Sequence, residues 1–340
     1  MADLRTHYMG IELKSPIIAG ASDLVTDIHT LKKLEEAGVA AIVYKSLFEE
    51  QVSLENLELY ELKTEYEERH AEQITLFPNS HSVPDSPDDY LFNLKKAREA
   101  VSIPLFASLN ALSDKVWVEY AVKAAATGVN GLELNFYSLP DEYGNDSSTI
   151  EKGYIETLRK VKAAVKIPVA VKLSPYYTNP LRFIADLDKA GADAVVIFNR
   201  LWQPDIDIFT EEPSMPYSLS RSEDNRLPLK FAGMLHDNIS ASVCTSTGIY
   251  SGNDVIKMIL AGADAVQAVS TIYRNGTDVI KSMTGEVEKW MDGHGYKTIG
   301  DFRGKLSMKK ADNKVPYHRA QYINLMMNTG DIIRKYKTLV

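Results

Sequence analysis

The amino-acid sequence predicts an α/β protein that folds as a (β/α)8 barrel. Three observations lead to this fold class: a unit that recurs along the chain, a second recurrent strand pattern, and a total of eight predicted strands. A chain of 340 residues with 45% hydrophobic content can bury a large core, either as one barrel or as two smaller domains. The recurrent units favour one barrel domain spanning residues 1–340.

The recurrent unit consists of a helix end, a glycine, a short turn and an apolar strand that closes on a polar residue. Glycine just past a helix and a short apolar run are typical of helix-to-strand connections. The unit occurs four times, at residues 37–46, 127–136, 190–199 and 261–270. Each occurrence therefore predicts one strand of a parallel sheet.

Two further strands begin with an Ile-Pro pair, at 102–110 and 166–174, where proline is tolerated as the first strand residue. Strands at 16–20 and 240–244 bring the total to eight, and amphipathic stretches such as 27–38 predict intervening helices. Eight parallel strands favour a closed barrel. A doubly wound open sheet is the alternative, but no GxGxxG motif follows the first strand.

Two segments are longer than the unit, and both follow strand ends. Residues 49–87 contain an acidic, tyrosine-rich run and a loop, and residues 201–232 form the other insertion. Because both follow carboxyl ends of strands, we expect them over the catalytic face of the barrel. The C-terminal tail from about residue 299 is interpreted as surface.

Composition excludes several classes of function. A net charge of −8 argues against nucleic-acid and anionic-membrane partners, and no run of about 18 apolar residues exists that would cross a bilayer. The N-terminus does not resemble a signal peptide and the single Cys244 cannot form an internal disulfide, so a cytoplasmic protein is expected. The seven histidines show no HxH or HExxH spacing, which predicts no metal site.

Polar residues close most of the predicted strands, and the segment GLELNFYSLP at 131–140 shows the pattern most clearly. Buried lysine and asparagine side chains need partners, so their convergence on one barrel mouth is better explained by a ligand than by packing. The strand ends carry Ala21 and Ser22, Lys45 and Ser46, Ser108 and Asn110, Asn135, Lys172 and Ser174, Asn199 and Arg200, Thr247 and Gly248, and Ser270 and Thr271.

One side of this mouth resembles a phosphate site. Gly248 and Gly252 lie between the seventh strand and a helix that begins near Ser251, and the eighth strand ends at Ser270 and Thr271. Backbone N–H groups in this position hold phosphate in many barrels. The opposite side, with Lys45, Lys172, Asn135 and Asn199, offers cations and amides that suit a planar ring rich in carbonyl groups and a carboxylate.

These motifs together resemble the soluble dihydroorotate dehydrogenase family of flavin mononucleotide (FMN) barrels. The resemblance covers roughly residues 4–295, and no single motif would be specific without the others. It is carried by MGIELKSPIIAGAS at 9–22, VYKS at 43–46, LELN at 132–135, VAVKLSPYY at 169–177, IFN at 197–199, STGIYSGNDV and AGADAVQAVST.

The resemblance implies a role for each matching residue. Lys172 would stabilise the reduced flavin, while Lys45 would contact the flavin and the orotate carboxylate. Asn135 and Asn199, and more weakly Asn79, would bind the substrate ring, and Asn135 would also contact the flavin. The remaining FMN contacts would come from Ala21, Ser22, Ser46, Gly248, Gly252, Ser270 and Thr271.

The chain departs from the family pattern after Asn135. Soluble members read N-x-S-C-P-N with a cysteine base, whereas this chain reads NFYSLPD. Alignment on Asn135 places Ser138 at the position of the base, and alignment on Pro140 places Leu139 there. The strand fixes Asn135, which favours Ser138. A serine base must pass its proton onward because a hydroxyl is far less acidic than a thiol.

The resulting expectation is an FMN-dependent oxidoreductase of the cytoplasm that converts dihydroorotate to orotate in pyrimidine biosynthesis. Two alternatives stay open: a related flavin enzyme for another cyclic amide or unsaturated compound, and a barrel that binds flavin or phosphate without turnover. The resemblance also implies a homodimer.

Overall fold

The computed structural model describes residues 2–49, 87–111, 113–137, 143–200, 204–214 and 218–327. Two predicted site residues, Asn79 and Ser138, lie outside these ranges, as do Leu139 and Pro140. Within the described ranges, no helix is both long and apolar enough to cross a membrane.

Eight parallel strands form a closed ring, which confirms the predicted barrel. Strand β3 (Ile17–Ala19) pairs with β4 (Ala41–Val43) and with β13 (Ala265–Ala268), and the pairing of β4 with β6 (Leu105–Asn110) completes the ring. An open sheet would leave two unpaired edges, so the doubly wound alternative is excluded. The ring consists of β3 (Ile17–Ala19), β4 (Ala41–Val43), β6 (Leu105–Asn110), β7 (Gly131–Phe136), β8 (Val169–Leu173), β9 (Ala194–Ile197), β12 (Ser242–Ser246) and β13 (Ala265–Ala268).

Short strands lie outside the ring. An antiparallel hairpin of β1 (Thr6–Tyr8) and β2 (Ile11–Leu13) precedes it, and β5 (Leu47–Phe48) pairs with β6 beyond the end of β4. A second hairpin, β10 (Asp205–Asp207) and β11 (Glu212–Ser214), lies in the predicted insertion at 201–232.

Helices follow the barrel strands, and polar caps fix where several of them begin. Asp27 accepts a hydrogen bond from the Thr30 backbone at the start of the first helix, and Ser251 and Asp254 form a capping box at the seventh. The helices are α1 (Ile28–Glu36), α2 (Pro87–Ala100), α3 (Asp114–Ala126), α4 (Ser147–Ala164), α5 (Pro180–Lys189), α6 (Arg226–Leu235), α7 (Gly252–Ala261), α8 (Ser270–Asn275), α9 (Val279–His294) and α10 (Ala320–Met327).

The alternation of side chains along each strand divides the core into two parts. Leu132, Leu134 and Phe136 of β7 point outward and pack with the helices. Gly131, Glu133 and Asn135 therefore point into the barrel. A Cβ on Gly131 would come within 3.2 Å of Met9 and Phe106. The lack of a side chain at Gly131 therefore leaves room for Met9 of the N-terminal hairpin to pack against the barrel interior.

The barrel interior is apolar at the end where the strands begin. Phe106, Ala170, Ala194, Cys244 and Ala265 pack there with Tyr8, Met9 and Leu13 of the hairpin. Tyr8 and Phe106 meet edge to face, with ring centroids 5.9 Å apart. The hairpin thus closes the lower end of the barrel with a dry layer.

The beginning of the C-terminal tail is packed and not only surface, contrary to expectation. Ile299, Phe302 and Ser307 are buried. The backbone N–H groups of Leu306 and Met308 donate to carbonyls of Leu260 and Gly233, which ties this segment to α7 and α6. The sequence pattern missed this packing because its apolar residues are widely spaced among charged ones.

Candidate active site

A cavity of about 620 Å³ opens at the carboxyl ends of the barrel strands, where the polar strand ends predicted it. It is bounded by residues from every strand of the ring except β6, together with the segment before α6. Its lining comprises Ala21, Ser22, Asp23, Lys45, Ser46, Phe48, Asn135, Tyr137, Lys172, Asn199, Arg200, Ser218, Leu219, Ser220, Ser246, Thr247, Gly248, Ile249, Gln267, Val269, Ser270 and Tyr273.

Lys172 lies at the floor of the cavity within a buried polar cluster. Its Nζ donates to Gln267 Oε1 at 3.0 Å and lies 3.4 Å from Glu133 Oε1. The Gln267 amide in turn donates to Glu133 Oε2. An ammonium carries three donors and one of them is used in the hydrogen bond to Gln267, so Lys172 can also donate to an acceptor in the cavity.

Two amides form the next layer toward the mouth. Asn199 Nδ2 donates to Asn135 Oδ1 at 2.9 Å. Asn135 pairs in register with Lys172 on the neighbouring strand, so the amide pair lies beside the buried cation. Donor and acceptor groups in this arrangement can bind a planar ring that carries both carbonyl and N–H groups.

Lys45 reaches the cavity from the end of β4 and is held by Asp23 at 2.7 Å. Both side chains are partly exposed, and such pairs contribute only about 0–1 kcal/mol. An anionic ligand could therefore replace Asp23 at little cost. The neighbouring Ser46 hydroxyl shares a hydrogen bond of 2.7 Å with Ser108.

The opposite side of the cavity is a cradle of hydroxyl and backbone N–H groups. The Ser270 hydroxyl accepts from the backbone N–H and the hydroxyl of Ser220, and the Gly248 N–H donates to Ser220 Oγ at 3.3 Å. Gly248 has φ of +76°, and a Cβ there would come within 2.5 Å of the Asn225 nitrogen. Only glycine combines this positive φ with the lack of room for a side chain.

Gly252 and Thr271, which were predicted to hold phosphate, do not line the cavity. The Gly252 N–H donates to Glu286 Oε2 at 2.7 Å, so the first turn of α7 is already occupied by a carboxylate. The Thr271 hydroxyl is buried against the Tyr250 carbonyl. The cradle is therefore formed by Ser220, Gly248 and Ser270 and not by Gly252 or Thr271.

The predicted set is otherwise largely brought together. Ala21, Ser22, Lys45, Ser46, Asn135, Lys172, Asn199, Gly248 and Ser270 all border the cavity. Cys244 is fully buried in the dry lower layer, and burial raises the pKa of its thiol well above the usual value. Within the described ranges, no group of three His, Cys, Asp or Glu side chains could hold a metal.

The sequence prediction missed several residues that line the cavity or lie just beneath it. Glu133 and Gln267 lie in strands that looked uniformly apolar, but Glu133 is two residues before Asn135 and so shares its face. This alternation could have revealed Glu133. Ser218 and Ser220 lie in an irregular insertion with no periodicity, so no sequence signal marked them.

The cavity fits a flavin nucleotide. Lys172 offers a buried cation to a ring system that gains negative charge on reduction, and the cradle around Gly248 and Ser270 offers donors to a phosphate. Gly20 lets the backbone after β3 lie close to Val269 and Gln267 at the cavity floor. A Cβ at this position would come within 2.7 Å of Val269 and 3.3 Å of Gln267 Oε1.

Comparison with known proteins agrees with this geometry. The family model for dihydroorotate dehydrogenase matches residues 85–291, which is more than half of the chain. The chain belongs to the dihydroorotate dehydrogenase family. As a member it is a flavin-dependent oxidoreductase that acts on CH–CH bonds.

Relatives within the dihydroorotate dehydrogenase family include proteins named as the B type, for NAD(+), and as the A type, for fumarate. The NAD(+)-type B catalytic subunits of Methanocella arvoryzae and Thermoplasma volcanium are 30% and 26% identical to this chain. The alignments cover 81% and 89% of the chain, and 89% and 98% of those relatives. The fumarate-type A enzyme of Lactobacillus helveticus is 29% identical over 60% of the chain and 68% of its own length.

Proposed function

We propose that the protein binds FMN and oxidises dihydroorotate to orotate, a step of pyrimidine biosynthesis. The observation that carries this proposal is the placement of a buried cation, an amide pair and a hydroxyl-rich cradle around one cavity. The names of the relatives in the family support the substrate.

The cradle side of the cavity would hold the FMN phosphate. Gly248 and Ser270 would contact it directly, with Ser220 as their hydrogen-bonded neighbour. Gly252 and Thr271, one layer behind, would support the two segments that form the cradle. Ala21, Ser22, Ser46 and Lys172 would border the ring system, which when bound accepts a hydride from the substrate.

The amide side of the cavity would bind the substrate. Asn135 and Asn199 would exchange their mutual hydrogen bond for bonds to the carbonyl and N–H groups of the ring, with Asn79 as a further contact. Lys45 would release Asp23 and bind the substrate carboxylate, because the exposed pair with Asp23 contributes little that has to be replaced.

Oxidation also requires a base that removes one proton as the hydride leaves. We assign this role to Ser138, which in the sequence is three residues after Asn135 and next to the cavity-lining Tyr137. The hydroxyl would accept the substrate proton while its own proton passes to water or a neighbouring group. Cys244 is unsuited to the role, since it lies in the dry lower layer.

Anaerobic mixing of the flavin-loaded protein with dihydroorotate tests this function. We expect loss of flavin absorbance near about 450 nm and stoichiometric formation of orotate. Dithionite serves as the control, because it reduces bound flavin whatever the substrate specificity. Reduction by dithionite but none by dihydroorotate would contradict the proposal. Adding NAD(+) or fumarate afterwards shows which acceptor restores the colour.

A second candidate is oxidation or reduction of another cyclic amide or unsaturated compound that carries a further anionic group. The observation that favours it is Arg200, which lines the mouth as a second cation near Asn199. Its guanidinium lies 3.0 Å from Ser218 Oγ and 3.4 Å from Asp224, and it suits a planar anion. Reduction of the flavin by such a compound, with dihydroorotate inert, would identify this activity.

The protein is further proposed to be one barrel domain over residues 1–340 and to form homodimers. The closed ring, whose first strand pairs with its last, supports a single folding unit. Sedimentation equilibrium should give twice the chain mass, and a mass equal to one chain would exclude the dimer.

A further inference from the structure

We propose that Glu133 is a positioning residue that sets the reduction potential of the bound flavin by partly cancelling the charge of Lys172. This inference rests on the proposed flavin site. Glu133 is the only ionisable side chain of β7 in its described span, and it does not itself border the cavity. It therefore acts through the residues above it.

The burial of Glu133 needs an explanation. Only 1% of the residue is exposed, and Oε1 has no hydrogen-bond partner, although Lys172 Nζ lies 3.4 Å away. A carboxylate in such a place is costly unless it is paired. Packing alone would be satisfied by an apolar residue such as Ala170, which pairs in register with Glu133 on the neighbouring strand.

The geometry couples Glu133 to the cavity by two routes. The first is the direct approach of its Oε1 to the Lys172 ammonium. The second runs through Gln267, whose amide nitrogen donates to Glu133 Oε2 while its oxygen accepts from Lys172 at 3.0 Å. The amide orientation is thus fixed at both ends, with the carboxylate below and the cation above.

This closed cluster determines the electrostatic potential at the cavity floor. Lys172 and Gln267 border the cavity and both are buried, so water weakly screens the charge of Lys172 and the amide dipole of Gln267. Lys172 alone would strongly favour the negative charge that a flavin gains on reduction. With Glu133 in place the cluster has no net charge, so this preference is reduced and the flavin returns its electrons more readily.

The test compares the midpoint potential of bound FMN in the wild type and Glu133→Gln. The variant keeps the shape of the side chain and leaves Lys172 unneutralised, so the potential should rise, favouring reduced flavin by more than about tenfold. Glu133→Asp keeps the charge and should stay near the wild type. Thr245→Val, which removes a different buried side-chain oxygen without a hydrogen-bond partner, should leave the potential unchanged.

An unchanged potential in flavin-loaded Glu133→Gln would overturn the inference. If that variant does not fold, Gln267→Glu replaces it: the added carboxylate beside Lys172 should lower the potential, and an unchanged or raised value would also overturn the inference. Failure of the wild type to bind FMN would instead contradict the proposed function. The two failures are therefore distinguishable.

Discussion

The lower and upper halves of the barrel interior are built from the same strands but differ in chemistry. Below, Phe106, Ala170 and Cys244 form a dry layer closed by the N-terminal hairpin. Above, Glu133, Lys172 and Gln267 form a hydrogen-bonded cluster that faces a cavity. On β8, Ala170 belongs to the lower layer and Lys172, two positions later, belongs to the upper layer.

This difference shows how the fold separates stability from function. The lower layer gains free energy from burial of apolar surface, and the Tyr8 hydroxyl lies in it without a hydrogen-bond partner. The upper layer gives up part of that gain to hold charges where a ligand can use them. Substitutions in the lower layer should therefore affect unfolding, whereas substitutions at the mouth should affect chemistry.

The largest effect is expected from Ser138→Ala, which removes the residue assigned as the base. If Ser138 is the base, its loss should slow flavin reduction by dihydroorotate by about 10²–10⁴-fold, the usual contribution of a general base. Rapid anaerobic mixing measures this rate directly. Flavin affinity should change little, because the hydroxyl is assigned to the substrate.

A matched control is Ser113→Ala, which removes a hydroxyl that caps α3. It should cost about 1 kcal/mol of stability and leave the reduction rate unchanged. A normal rate in Ser138→Ala would mean that another group acts as the base, or it would favour the alignment in which Leu139 takes the position of the base.

The next largest effect should come from the lower layer. Phe106→Ala removes a fully buried ring beside Tyr8, and the free energy of unfolding should fall by about 3–5 kcal/mol. Denaturant titration measures it, and the exposed Phe92 of α2 provides the control Phe92→Ala. Phe106→Ala protein that remains folded and flavin-loaded should react at the wild-type rate. A slower rate would contradict the assignment of stability to the lower layer and chemistry to the upper layer.

A smaller effect is expected for Gly248→Ala in the cradle. The positive φ and the 2.5 Å approach to Asn225 oppose a side chain there, and such strain costs about 1–3 kcal/mol. FMN affinity should fall, as measured by fluorescence titration. Gly153→Ala is the control, since a Cβ there meets nothing within 4 Å in the middle of α4. Equal affinities in wild type and Gly248→Ala would exclude the cradle as the phosphate site.

The smallest effect is expected for Cys244→Ala. The thiol is buried and its pKa is raised, so it is neutral and inaccessible at pH 8. In the wild type, iodoacetamide should label the Cys244 thiol only after the protein is unfolded, as mass spectrometry would show. Flavin reduction should proceed at the wild-type rate, and a large loss would mean that Cys244 takes part in the chemistry.

Much of the fold could be predicted from the sequence because each βα unit repeats a local pattern. Gly38, Gly128 and Gly191 all have positive φ at the helix-to-strand turns, which only a residue without a side chain adopts easily. Site residues at strand ends, such as Lys172 and Asn199, were predictable for the same reason. Ser220 and the Glu133–Gln267 bond were not, since they depend on contacts across the barrel that no local pattern encodes.

The central claim is that the upper half of the barrel holds a flavin. The most direct measurement is the flavin content of the purified protein, released by denaturation and quantified, followed by reconstitution of any apoprotein with FMN. We predict one FMN per chain, with affinity weakened in Gly248→Ala but not in Phe106→Ala. Protein that contains no flavin and takes up none would contradict the account.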